Sequence, residues 1–365
     1  MRPISRQDGF TLTELLIAST VTLLVLGGAM TAFKNALAVN DTASQLSDSN
    51  QNLRSGSNLL VHDLMQAGRK IPTGGIPIPS GAGATAINRP SPPGVSVYAF
   101  DNINQTTLTA IVSGANLGPT IDNSSTDIVT FLMIDPLLPA LTLYDATANN
   151  PPAGVGLIAN DGSSMTVGTS NWLTGDSVNG IPAIQAGDLV FFNYGGGAIQ
   201  TVTSTDATKV YFAANDWFNF NQRANAAAGT VMQLQQGSPL KFPSAMTAYR
   251  LLMITYYVDA VTVPGTPRLT KVINHYAPQA LAGVVEDLDI NYDLVDGVNN
   301  PVGVKSLPWT DPVSGLTYTA TQIRKVNLHV GVRSDTLCLP ANDYLRNHLS
   351  TSISIRDLAF VSRYQ

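Results

Sequence analysis

Apolar residues form one unbroken stretch near the start of the chain, from Phe10 to Phe33, in which Glu14 is the only ionisable side chain. As a helix this stretch rises roughly 36 Å. That exceeds the roughly 30 Å hydrocarbon core of a bilayer, so it is long enough to span with some tilt. The pattern then changes. Ala43, Leu46, Asn50, Leu53, Ser57, Leu60, Leu64 and Ala67 recur at 3–4 spacing as one mostly apolar stripe among polar residues. This predicts that the same helix continues to about Arg69, half-buried on the chain's own sheet. Gly68, Pro72, Gly74 and Gly75 supply the stop. Gly27 and Gly28 each cost about 1 kcal/mol of helix propensity relative to Ala, which predicts a local softening.

Residues 71–94 carry Pro72, Pro77, Pro79, Pro90, Pro92 and Pro93 and read as a connector, neither regular helix nor central strand. Beyond it, β-branched and aromatic runs recur between turn signals. They are Val95–Phe100, Thr107–Val112, Asp127–Ile134, Asp188–Tyr194, Ile199–Thr203, Lys209–Phe212, Gly229–Leu234, Tyr249–Val258, Arg268–His275, Val284–Leu294 and Ile323–Arg333. Ser352–Tyr364 alternates in part and is placed as a closing strand. Residues 135–180 give no readable pattern. The expected fold is α+β: a leader over 1–9, a membrane-spanning half-helix over 10–33, an amphipathic half over 34–70, the connector, and a mainly antiparallel β-rich domain over 95–365.

Charged residues make up only 12% of the chain, against 30 Gly and 22 Pro, which suits an extracytoplasmic β-rich domain with long loops. Without residues 1–9 the formal charge moves from −5 to −6, because Arg2, Arg6 and Asp8 are lost. No basic patch stands out, so nucleic acid is not an expected partner. Cys338 is the only cysteine, which excludes an intrachain disulfide. Its apolar neighbours Leu337 and Leu339 predict a small buried residue, with intermolecular pairing as the alternative.

The N-terminus holds the most specific signal. A polar leader with Arg2 and Arg6 precedes Gly9-Phe10-Thr11-Leu12-Thr13-Glu14, and the apolar run follows this junction. A secretory signal has the reverse order and closes on an A-x-A-like site, which is lacking here. A lone acid within a spanning segment is a functional hypothesis in itself. Gly9 to Ala18 resembles the class III signal shared by type IV pilins and type II secretion pseudopilins. The resemblance implies cleavage by a prepilin peptidase between Gly9 and Phe10, N-methylation of Phe10, and a conserved role for Glu14. In an assembled bundle Glu14 needs a cation, and the Phe10 α-amine of a neighbouring chain lies at matching depth. Removing either partner leaves a buried charge uncompensated.

Looser similarities point to the PilW-like large minor pilins. They comprise Arg54–Arg69, Gly187-Asp188-Leu189-Val190, Val284–Leu288 with Tyr292, and Val326–Arg333. The resemblance implies a structural minor pilin at low copy, priming assembly near the tip of a type IV pilus. Its partners would be the peptidase, other minor and major pilins, an inner-membrane assembly platform and a cytoplasmic ATPase. The chain would be single-pass in the inner membrane with a periplasmic domain, then part of the pilus at the cell surface. A type II secretion pseudopilin is the runner-up, and a pilin-anchored adhesin or ligand-binding module a further class. A tethered enzyme is the weakest reading, and no catalytic residue, cofactor or metal is assigned.

The remaining motifs read as structural. His62, His275, His329 and His348 have no metal-ligand spacing, so a zinc site would have to be assembled by the fold. No G-x-S-x-G elbow occurs. Gly81-Ala82-Gly83-Ala84-Thr85-Ala86 follows a proline-rich loop and opens no predicted helix, against a dinucleotide site. Glu286, Asp287, Asp289, Asp293 and Asp296 raise calcium, but their spacing matches no calcium loop. On a strand, Asp287, Asp289 and Asn291 share a solvated face while Leu288 and Ile290 point inward. Trp217, Phe218 and Phe220 are read as core.

Overall fold

The computed structural model describes residues 10–94, 98–99, 106–148, 150–223, 225–337 and 343–355. Gly9 and the leader, Cys338, most of Val95–Phe100 and the end of Ser352–Tyr364 beyond Ile355 lie outside them.

One helix, Leu12–Leu64, runs for 53 residues. Thr11 caps it, with its hydroxyl accepting the Glu14 N–H while the Glu14 carboxylate accepts the Thr11 N–H at 3.0 Å. The helix passes through Gly27 and Gly28 without a break, so the predicted softening does not interrupt it. It ends about five residues before Arg69, earlier than expected. There the backbone tightens, with Gln66 donating to the Asp63 carbonyl and Ala67 to Leu64. Gly68 then adopts φ 84°, a left-handed conformation natural to glycine, and its N–H leaves the helix for the Leu132 carbonyl at 2.8 Å.

The buried stripe is also shorter than expected. Leu53, Ser57, Leu60, Leu64 and Ala67 are buried, but Ala43 and Leu46 are exposed and Asn50 is half-buried. Burial starts at Ser49 because only from there does the helix face the rest of the chain. Gly56 joins the buried face.

The remainder is mostly antiparallel sheet. A 12-stranded sheet is built around the long strand Met246–Asp259. Its first half pairs with Leu189–Asn193 on one side and Leu141–Asp145 on the other. Its second half pairs with Arg268–Ile273 and Val129–Ile134. A separate three-stranded sheet places Ile323–Arg333 between Val285–Leu294 and the edge strand Arg346–Ser354. The helix packs where these sheets meet. Leu53, Leu60, Leu64 and Ala67 share one core with Phe131, Tyr256 and Leu269 of the large sheet and Leu288, Val330 and Ile353 of the small one.

Several expected strands differ. Gly229–Leu234 contains a 3-10 turn, Val231–Leu234, because the Thr230–Gln233 capping pair closes it locally. Thr107–Val112 splits into two short strands, with the Thr109 hydroxyl bonding the Ile111 carbonyl at 2.7 Å. The unread region 135–180 forms Leu141–Asp145, Gly156–Ile158 and Ser164–Thr166, and Gln279–Gly283 is a further strand not anticipated. Trp172 anchors this region in a core with Phe192 and Phe212, its indole N–H donating to the Pro139 carbonyl at 2.8 Å. Residues 71–94 are packed as part of the head, since Ile76, Ile78 and Ile87 are fully buried.

Candidate assembly interface

The helix divides into a bare half and a seated half. From Phe10 to Val39 its large apolar side chains are exposed, Leu12 at 80% and Leu24 at 76%. The hydropathy of its most apolar window averages 2.0, and none of that window is covered by the rest of the chain. Apolar surface of this extent is stable only in lipid or against other helices. The hydroxyls within it are satisfied locally. Thr20, Thr22 and Thr31 each donate to a carbonyl one turn back, at 2.7–2.9 Å. Such bonding removes the cost of a free polar group in an apolar medium.

Glu14 sits at the exposed start of this half. One carboxylate oxygen accepts from both the N–H and the hydroxyl of Thr11 at 3.0 Å. Thr11-x-x-Glu14 is a capping box, a motif readable in the sequence that the family resemblance overshadowed. The carboxylate therefore satisfies one of the orphan donors at its own helix start and still has a second oxygen for another cation. Phe10 precedes the cap, 90% exposed.

The seated half is fixed by close packing and by a polar lock. At Gly56 a Cβ would approach the Ala282 Cβ to 2.7 Å and the Leu269 Cδ2 to 3.3 Å, so helix and sheet meet at glycine distance. Asp63 faces the large sheet, where its carboxylate accepts the Tyr256 hydroxyl at 2.6 Å and pairs with the Lys271 ammonium. Burial and then this carboxylate push the Tyr256 hydroxyl far above its ordinary pKa, so it acts as a permanent donor. Asn50 bonds Asn347 of the edge strand. Gln45, Asp48, Ser49 and Asn52 are the helix residues that line the groove where the head begins.

The other sequence candidates scatter. Asp287, Asp289 and Asn291 do share the outer face of their strand, with Leu288 and Ile290 buried on the other. Among the described residues, no three His, Cys, Asp or Glu side chains already converge to hold a metal ion. Phe218 and Phe220 are core residues, but Trp217 is exposed and stacks on His275 at 4.1 Å. The Gly81–Ala86 loop opens no helix, and at Gly83 a Cβ would strike the Asn225 carbonyl at 2.2 Å.

Residues 4–30 match the family model of the prokaryotic N-terminal methylation motif. No curated protein and no solved structure matches the chain. This motif, followed by one long apolar helix and a β-rich head, indicates a type IV pilin-like or pseudopilin protein, structural in character. It implies processing by a prepilin peptidase and assembly with other pilins.

Proposed function

We propose that the chain is a minor pilin of a type IV pilus, similar to the PilW-like proteins, and that it primes assembly near the tip. The observation that carries this reading is the junction of a methylation motif with a bare apolar half-helix rigidly joined to a large head. A prepilin peptidase cuts between Gly9 and Phe10, the Phe10 amine is methylated, and the helix is held in the inner membrane until it is drawn into the filament. The Phe10 amine of one chain then pairs with Glu14 of another, using the carboxylate oxygen that Thr11 leaves free. The head lies on the periplasmic side before assembly and on the cell surface afterwards.

N-terminal sequencing and intact mass of the protein from membranes test the processing step. Phe10, with or without a methyl group, is expected as the first residue, and an unprocessed Met1 in a piliated host overturns it. A bulky residue in place of Gly9 is expected to block cleavage. Loss of surface pili in a deletion strain supports the pilus reading, whereas a defect confined to protein export assigns the chain to a type II secretion system.

A further inference from the structure

The fold brings together two histidines that lie 19 positions apart in sequence, His329 and His348. Both stand on the outer face of the three-stranded sheet. His329 is directly opposite Asp289 on one neighbour and Ser350 on the other, while Gly331 is opposite Asp287 and His348. Gly331 leaves its position on this face empty. A Cβ there would lie 2.9 Å from both the Asp287 Cβ and the His348 Nδ1, so these groups close over the gap. The inner strand bulges between Val285 and Asp287, a distortion that re-aims the side chains beside it.

Two of the three side chains are already spaced as metal ligands. His329 Nε2 lies 3.5 Å from Asp287 Oδ2. Two ligands about 2.1 Å from one tetrahedral metal stand about 3.4 Å apart. The other nitrogen, His329 Nδ1, lies 2.8 Å from the Ser350 hydroxyl, the partner that fixes ring orientation and tautomer in metal-bound histidines. The His348 ring stacks on His329 with centroids 5.3 Å apart and 18° between planes. Among the described residues its nitrogens have no hydrogen-bond partner, and the side chain is exposed, so a rotation brings it to the shared edge. Lys305 pairs with Asp289 at 3.0 Å, which keeps that second carboxylate outside the set.

We propose that Asp287, His329 and His348 form a surface site for a borderline divalent transition metal such as zinc, with water as the fourth ligand. Two imidazoles and one carboxylate suit zinc, nickel or copper and disfavour calcium and magnesium, which take all-oxygen sets. The bound metal would tie the edge strand Arg346–Ser354 to both other strands of its sheet.

The test is isothermal titration of the full chain in detergent micelles with zinc ion alone, in a Cys338→Ser background so that the thiol does not compete. One saturable site is expected. His329→Ala and His348→Ala are each expected to weaken it by about tenfold or more, and Ser350→Ala less, in line with losses at ligands and their supports. Lys305→Ala and His275→Ala are expected to leave it unchanged. Cobalt titration gives a second readout, since tetrahedral coordination has a visible absorption band. No saturable zinc uptake by the parent chain overturns the proposal, as does uptake or a cobalt band unchanged in either histidine variant.

Discussion

Glu14 has two tasks that a single substitution confounds. Its carboxylate completes the capping box with Thr11, and in the proposed filament it also answers the Phe10 amine. Gln retains the capping geometry, because Glu and Gln both serve in that motif, but it carries no charge. Glu14→Ala and Glu14→Gln are therefore both expected to be inserted and cleaved normally. If charge pairing drives assembly, both are expected to be depleted from sheared filaments to a similar extent. Recovery by Gln assigns the defect to the cap. Aspartates in exposed turns have a different consequence. Hydrogen bonds from Tyr211 and from the Thr208 and Lys209 backbone hold the Asp206 carboxyl down at about 2. The ordinary unfolded value is about 3.9, so Asp206 favours the folded state above that pH, and the contribution is lost as pH falls toward about 2. Asp127 and Asp188 work in the opposite direction, since burial raises both. Asp206→Asn is expected to flatten the acid limb of a denaturation-midpoint curve between about pH 4 and pH 2. An acid limb identical to the parent's contradicts this.

At the level of elements, the joint between helix and sheets is what makes the molecule one body. Gly56 permits the approach, and the Asp63–Lys271–Tyr256 lock fixes the rotation of the helix about its axis. Gly56→Leu should improve helix propensity slightly yet force the helix off Ala282. Overpacking of this kind costs about 1–3 kcal/mol, more than the gain of about 1 kcal/mol from removing glycine. A lowered midpoint in chemical denaturation, followed by tryptophan fluorescence, is the expected outcome, and an unchanged or raised midpoint refutes it. The helix and most long strands were legible because each keeps its period over many residues. The stripe of the helix was misread at Ala43 and Leu46 because a sequence shows which face is apolar but not where the covering partner begins. The region 135–180 was illegible for a related reason. Gly156–Ile158 and Ser164–Thr166 have only 3 residues each, too few to display alternation, and they are held by pairing with distant strands. The capping box was visible at Thr11 and Glu14 but was absorbed into a reading of Glu14 as a buried charge. The histidine pair depends on register between strands, which no local pattern encodes.

For the whole molecule, size decides where it fits. Everything beyond residue 70 packs as a head on one end of a 53-residue helix. Heads of this bulk crowd one another when many helices pack side by side, whereas a terminal position leaves one side open. Low abundance and a tip location are therefore expected. Asn50 and Ser57, whose polarity in the stripe had suggested register with a partner, are occupied within the chain: Asn50 bonds Asn347, and Ser57 is buried under the helix. Partner choice must then come from the head or the bare half-helix. Immunogold labelling and quantitative mass spectrometry of purified filaments check this, and labelling along the shaft or abundance equal to the major subunit contradicts it. The uncovered stretch between the apolar run and the head has its own effect. If the span ends at Phe33, Lys34 to Gln45 lifts the head about 18 Å clear of the hydrocarbon. The Debye length at physiological salt is about 8 Å, so acidic side chains of the head and anionic lipid headgroups are largely screened from each other. The head's attitude toward the membrane is then governed by the stiffness of its stalk, and changes in lipid charge or ionic strength leave it unmoved.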